Sequence, residues 1–490
     1  MWRSYLVPPS RFLSQKNYQH KIHKYRKSFY IFVSNQKKIF RQKMTSKQSK
    51  MTWHKLLSNK RFGMEDYHKK HDDRTEFQRD FDRLIFSAPF RRLQNKTQVF
   101  PLPGKIFVHN RLTHSLEVSS VGRSLGLGVT RGLINKNGEK NYPDFFHELG
   151  SIVSAACLAH DLGNPPFGHP GEKAIATYFS EDAGLRLKDE MSKEEWNDII
   201  KYEGNANAFR LLTHQFKGRR KGGFALTYST LAAIAKYPYA SIYTPENKHK
   251  FGFFQAEKDD FKKIADELGM IEIAPYQYAR HPLVFLVEAA DDICYEIMDI
   301  EDAFKLKILS YEETKKLFMA FINEDTIGRT NEILSKIGDK NEKITYLRSH
   351  IIGKLIEACV NVFVENEEKI LQGKFESSLI KSLPKQLCEA YKACEKIAYA
   401  RIYRSQAVVD IEVGGYNIIY TLIDKFTMAI MNPEKMYSKM LLPRIPEQYD
   451  FEAKTTYEKV LSVLDFVSGM TDVYALDLYQ KITGQSLPQL

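Results

Sequence analysis

An apolar segment, FFHELGSIVSAACLAHD (Phe145–Asp161), ends in a His-Asp pair, breaks at once in LGNPPFG and resumes at HPGE. This is the strongest constraint in the chain. The segment reads as a buried helix, and a buried helix gains nothing from a terminal imidazole and carboxylate unless something satisfies them. Gly163 and the Pro165-Pro166 pair stop the helix there, so His160 and Asp161 can reach one ion although neighbouring side chains on a helix diverge by about 100°.

Two ligands do not complete a site, so the pattern calls for another His upstream and a carboxylate downstream, each on a buried helix. RLTHS supplies His114, and EAADD supplies Asp291 within an apolar stretch. Taken singly, each has a bland reading: a His in a polar network, an Asp-Asp on a solvated face. Together, all flanked by apolar helix, they point to a metal centre. Two imidazoles and two carboxylates suit one divalent ion such as Mn²⁺, Fe²⁺ or Zn²⁺, or Mg²⁺ with more water.

His169 precedes Pro170, a good residue for the start of a helix. It therefore sits at a helix N-terminus with Glu172 in the first turn. Backbone N–H groups and the helix dipole favour anions at such a place. A His and a Glu three apart can share a proton or a water, as an acid–base pair requires.

Elsewhere the pattern is mainly helical. DDRTEFQRDFDRLIFSAPF reads as a helix ending near Pro89, with Phe81, Leu84 and Ile85 on one face. Leu112, Leu116, Val121 and Leu125 follow helical spacing. PLVFLVEAADDICYEIMDIEDAF is a long helix started by Pro282, helical stretches fill 311–403, and the C-terminal TYEKVLSVLDFVSGMTDVYALDLYQ is helical again. AVVDIEVGGYNIIYTLI, rich in β-branched residues around Gly414-Gly415, is the best candidate for a strand or hairpin. Residues 214–260 read as irregular. The fold class expected is mainly α, a large helical domain with a small β-hairpin excursion.

Charge divides the chain. Residues 1–50 carry thirteen Lys or Arg and no Asp or Glu; removing thirteen from the 72 basic residues leaves 59 against 60 acidic, a net of −1. The remainder gives no global argument for nucleic-acid binding. The leader reads as a presequence, a nucleic-acid-binding arm, a mobile tail, or an upstream extension of a start at Met44 or Met51; its lack of an amphipathic period favours the last two. No run of eighteen apolar residues exists, so no membrane span is expected. Five cysteines without a C-x-x-C pair fit a reducing, cytoplasmic setting.

The motifs RLTHSLEV, HDLGNPPFGHPGE, EGNA, EAADDICYEIMDIEDA and SGMTD, in this order, resemble those of the deoxyguanosine triphosphate triphosphohydrolases of the HD-domain superfamily. The resemblance runs from about Trp53 to near the C-terminus, and implies an HD core over about 80–305, a helical part over about 306–490, and a homo-oligomer, commonly a hexamer. It implies hydrolysis of dGTP or another dNTP to the deoxynucleoside and inorganic triphosphate, with Mn²⁺ or Mg²⁺ foremost as cofactor. His114, His160, Asp161 and Asp291 would bind the metal. His169 and Glu172 would form the catalytic pair, Glu172 orienting or deprotonating a water and His169 acting at the α-phosphate or the leaving oxygen.

Arg111, Asn205, Lys236 and Tyr237 would contact substrate, and Gln98 would lie near the sugar 3′-hydroxyl. Tyr295 and Asp299 follow Asp291 by four and eight residues, drifting about 40° per step on one helix, which would place a ring under the sugar and a carboxylate at the 3′-hydroxyl. Glu412 would help form the base pocket, from the same or a neighbouring subunit. Single-stranded DNA or a dNTP would be an effector. The rivals are an HD phosphodiesterase or nucleotidase acting on another phosphoester, and a nucleotide-sensing HD module without activity.

Overall fold

The computed structural model describes residues 50–66, 73–100, 108–244 and 249–486. The basic leader before Lys50 lies outside the described residues. Met51–Leu490 packs as a unit of its own.

The expected helix around Phe81 forms as α1 (Glu76–Ile85), capped by Thr75 and Gln78 in a reciprocal capping box. It stops short of Pro89, which instead opens a short helix, Ala88–Arg92. Helix α2 (Arg111–Asn137) starts at Asn110, whose side chain accepts from the Thr113 N–H while the Thr113 hydroxyl accepts from the Asn110 N–H. Such a cap is worth about 1 kcal/mol; here it also fixes the phase that puts Arg111 and His114 on one face, three residues apart. Val121 and Leu125 are buried as their spacing predicts, but Leu116 is exposed.

Helix α3 (Leu149–Ala159) is the apolar segment, with every residue except Ser151 buried. Each Leu, Ile or Val so buried contributes about 1.5–3 kcal/mol, which is what carries His160 into the interior. Helices α2 and α3 touch backbone to backbone: a Cβ on Gly126 would lie 2.7 Å from the Gly150 Cα. The Ser119 hydroxyl joins them again through the Ser154 carbonyl at 2.9 Å.

Helix α4 (His169–Glu181) follows the turn, then α5 (Gly204–Thr213). Of the stretch 214–260, the described residues 214–244 and 249–257 are largely irregular, as expected, apart from a helix at Tyr228–Ile234, and a further helix starts at Lys258. Helix α6 (Val284–Lys305) carries Asp291, and α7 (Lys340–Leu371) packs on α2 and α6. Two hydrophobic cores result. One gathers around α2, α3, α6 and α7; the other around α4 and the C-terminal helices α8 (Gln406–Met431), α9 (Thr456–Ser468) and α10 (Asp472–Thr483). Between His160 and Gly168 the chain crosses from the first core to the second.

The hairpin expected at AVVDIEVGGYNIIYTLI is not there. That sequence lies within helix α8. Its buried residues Val408, Gly415, Ile418, Ile419, Leu422 and Ile423 recur at three, four and seven, not at two, and burial against α4 and α9 overrides β-branched propensity. The hairpin is instead β1 (Glu272–Ala274) paired antiparallel with β2 (Gln277–Tyr278). The mainly α class with one small hairpin therefore stands, with the hairpin moved. Among the described residues no helix is long and apolar enough to cross a membrane.

Candidate metal and phosphate site

Helices α2, α3 and α6 bring three candidate ligands, His114, His160 and Asp161, together with Asp291 beside them. Donor atoms of His114, His160 and Asp161 all lie within 4.8 Å of one another. Asp291 Oδ1 is 3.1 Å from His114 Nε2 and 3.6 Å from His160 Nε2. The His160 Nδ1–H donates to the Cys157 carbonyl at 2.6 Å, which orients the ring and turns Nε2 inward, the outer-sphere anchoring that metal-binding imidazoles need. That Nε2 is buried and has no hydrogen-bond partner.

The electrostatics agree. Burial alone would lower the His160 imidazole, but the carboxylates of Asp161 and Asp291 push it up to about 9. Asp291 is held well below the usual carboxylate range by His160 and His114 despite its burial. The cluster draws positive charge to its centre, and its N₂O₂ donor set suits a borderline divalent cation. Arg111 Nη1 donates to Asp161 Oδ2 at 2.8 Å, and Asn164 Nδ2 donates to Asp161 Oδ1 at 2.5 Å, so this candidate ligand is oriented from both sides.

A cavity of about 490 Å³ opens over this cluster. On its wall, His169 Nδ1–H donates to Glu172 Oε2 at 2.8 Å, and the Gly204 N–H donates to Glu172 Oε1 at 2.8 Å. Although burial raises the Glu172 carboxyl, His169, Lys250 and the Gly204 amide bring it below its ordinary value. Glu172 is buried and the His169 side chain is 73% exposed, so the imidazole faces the cavity while the carboxylate stands behind it.

The other expected contacts divide. Gln98, Arg111, Asn205, Lys236, Tyr237, Tyr295 and Glu412 all border the cavity. Gln98 Oε1 and Arg111 Nε are buried without a hydrogen-bond partner. Lys236 pairs with Glu288 at 3.3 Å, and Asn205 Nδ2 donates to Glu203 Oε1 at 2.9 Å. Glu412 is exposed at the rim. Tyr295 stands edge-on to His114, with ring centres 6.3 Å apart. Asp299 does not border the cavity; it accepts from the Tyr403 hydroxyl at 2.8 Å, and Tyr403 forms the wall. Burial pushes the Asp299 carboxyl up to about 8.

Among the cavity residues that escaped the sequence reading are Tyr403 and Lys250. Lys250 pairs with Glu203 at 2.5 Å and lies 4.0 Å from Glu172. Neither falls in a motif or on a regular apolar pattern that marks it.

Comparison with known proteins converges on this region. An HD domain model matches residues 111–221, and a phosphohydrolase-associated domain matches residues 382–481. The chain is 37% identical over 452 residues to a deoxyguanosinetriphosphate triphosphohydrolase-like protein of Pseudomonas aeruginosa, covering 89% of this chain and all of the relative. It is 38% identical over 453 residues to a protein of the same description from Synechocystis, with the same coverage. To the deoxyguanosinetriphosphate triphosphohydrolase of Yersinia enterocolitica it is 29% identical over 488 residues, covering 83% of this chain and 93% of the relative.

Proposed function

The chain belongs to the deoxyguanosinetriphosphate triphosphohydrolase-like family of the HD-domain superfamily, and on that premise we propose that it hydrolyses dGTP, or a related dNTP, to the deoxynucleoside and inorganic triphosphate. Its homology and ligand cluster support metal-dependent phosphohydrolysis as the general chemistry; the substrate and the bond cleaved are the finer reading. The observation that carries it is the meeting of His114, His160, Asp161 and Asp291 beneath a cavity that also holds the His169–Glu172 pair.

A divalent ion held by these four groups, Mn²⁺ or Mg²⁺ before Fe²⁺ or Zn²⁺, would supply Lewis-acid polarisation of a phosphoryl oxygen. The protein's own groups do the rest. Arg111, Lys236 and Lys250 offset the charge of the triphosphate, which otherwise repels a nucleophile. Both Glu172 oxygens are engaged, so its role is to orient His169 through Nδ1 and leave Nε2 facing the substrate. Water attacks the α-phosphorus as the bond to the 5′-oxygen breaks; His169 Nε2 delivers a proton to that oxygen, and the proton released by the attacking water, passed through solvent, restores the imidazolium. The triphosphate leaves in one piece.

The orphan Gln98 Oε1 is an acceptor for the 3′-hydroxyl, and Asp299 acts there through Tyr403. Tyr295 closes the space a 2′-hydroxyl needs. Glu412 at the rim completes the base pocket within a homo-oligomer. The test is incubation of the purified chain with each dNTP and with Mg²⁺ or Mn²⁺, resolving products by mass. Deoxynucleoside plus triphosphate supports the reading; nucleoside monophosphate overturns it in favour of another HD phosphoesterase.

A further inference from the structure

The SGMTD segment, Ser468–Asp472, runs from the last residue of α9 to the first of α10 and bears none of the groups assigned so far. Its contacts nonetheless run to three separate loops of the site. Asp472 is 6% exposed. Its Oδ2 accepts from the Thr97 N–H at 2.7 Å, and its Oδ1 accepts from the Phe167 N–H at 2.9 Å. Thr97 immediately precedes Gln98; Phe167 lies two residues before His169.

Ser468 contributes twice. Its carbonyl accepts from Lys96 Nζ at 2.9 Å, and the same nitrogen donates to the Asn164 carbonyl at 2.6 Å. Its hydroxyl pairs with the Tyr202 hydroxyl at 2.6 Å, two residues before the Gly204 amide that holds Glu172. One five-residue stretch therefore touches the loops carrying Gln98, the HD turn and the anchor of Glu172.

The Phe167 contact matters most. Phe167 has φ +62°, and so does Gly168. A bulky side chain in the left-handed region costs on the order of 1–3 kcal/mol and persists only where surroundings over-determine it. The Asp472 carboxylate supplies that restraint through the Phe167 amide, and the Phe167 ring is pressed against Gly415 of α8. The reversed backbone of Phe167-Gly168 is what aims α4, and with it His169, at the cavity. Asp472 itself is well placed, since the first turn of α10 favours an anion.

We propose that Asp472 is a positioning residue that holds the Gln98 loop and the Phe167–His169 turn in their working geometry by accepting one backbone hydrogen bond from each. It touches neither substrate nor the reacting atoms; it acts through His169 and Gln98. The inference rests on the catalytic reading of His169, and one arm of its test is independent of that reading.

The experiment compares D472N with the full wild-type chain. Asparagine keeps the size but turns an N–H₂ toward one of the two amides, replacing an acceptor by a donor. Amide hydrogen exchange is expected to speed up tenfold or more at whichever of Thr97 and Phe167 loses its acceptor. With dGTP, kcat per metal-loaded chain is expected to fall about 10–100-fold while bound metal stays at the wild-type level. D477N, five residues on in the same helix and paired only with Lys481 at the surface, should leave all three readings unchanged. Unaltered exchange at both amides, or faster exchange with kcat and KM unmoved, overturns the proposal. A wild-type chain that hydrolyses no dNTP would instead refute the proposed substrate, and the exchange arm would still decide the role of Asp472. Should D472N fail to fold, D472S, a shorter acceptor, is read in the same way.

Discussion

Nε2 of His114 lies 3.1 Å from Oδ1 of Asp291, 177 residues further along the chain. Helices α2 and α6 are thus joined by this pair. Removal of either partner should abolish metal binding and turnover together. For Asp291→Ala or His114→Ala we expect metal affinity to fall beyond the 10–100-fold typical of outer-sphere changes, measured by metal analysis after dialysis. Full stoichiometry in either variant would remove these residues from the ligand set.

Glu172→Gln keeps the shape of the side chain but loses the charge that orients His169. Bound metal and nucleotide affinity should persist, while kcat drops by about 10²–10⁴. Single-turnover hydrolysis with mass detection of triphosphate checks this. A rate within twofold of wild type would mean that the pair has no part in the chemistry.

Tyr295→Ala opens the space beside the sugar. The ratio of kcat/KM for GTP to that for dGTP should rise on the order of tenfold or more. If selectivity is unmoved, the ring is a packing element between His114 and Tyr403, its two aromatic neighbours.

Glu296 is 4% exposed, its Oε1 has no hydrogen-bond partner, and burial, with Asp299 adding to it, pushes its carboxyl up to about 8. The folded chain therefore keeps a proton that the unfolded chain loses near pH 4.5. Stability falls as pH rises from about 4.5 to about 8, and the loss is complete above that. Glu296→Gln fixes the neutral form. Its urea midpoint should match wild type near pH 4.5 and exceed it at pH 8.5. Parallel curves across that range would show that Glu296 ionises without cost.

The candidate metal cluster was legible because polar groups set in or at the end of apolar helical stretches have few explanations. His114, His160 and Asp291 each interrupt such a helix, and the structure brings them together with Asp161. Tyr403 was hidden for a specific reason. It follows a π-helical turn, Ala398–Ile402, whose wider winding shifts every later residue off the 3.6-residue phase. Lys250 was hidden because only tertiary folding brings an irregular loop beside Glu172. Helix α8 was misread because β-branched residues outweighed a helical spacing that only its packing against α4 and α9 makes decisive. The left-handed Phe167 has no local sequence cue at all; the restraint comes from a carboxylate 305 residues away.

The contact of α2 with α3 at Gly126 and Gly150 has a bearing on ion choice. Where two main chains abut, no rotamer can yield, so the rails carrying His114 and His160 keep a fixed gauge. If the cluster holds an ion, its two imidazoles would tolerate little change in radius. Both Asp161 oxygens are already engaged, by Arg111 and Asn164, so adaptation would fall to Asp291. A lineage exchanging one cation for another would then alter the surroundings of that carboxylate and leave both histidines in place.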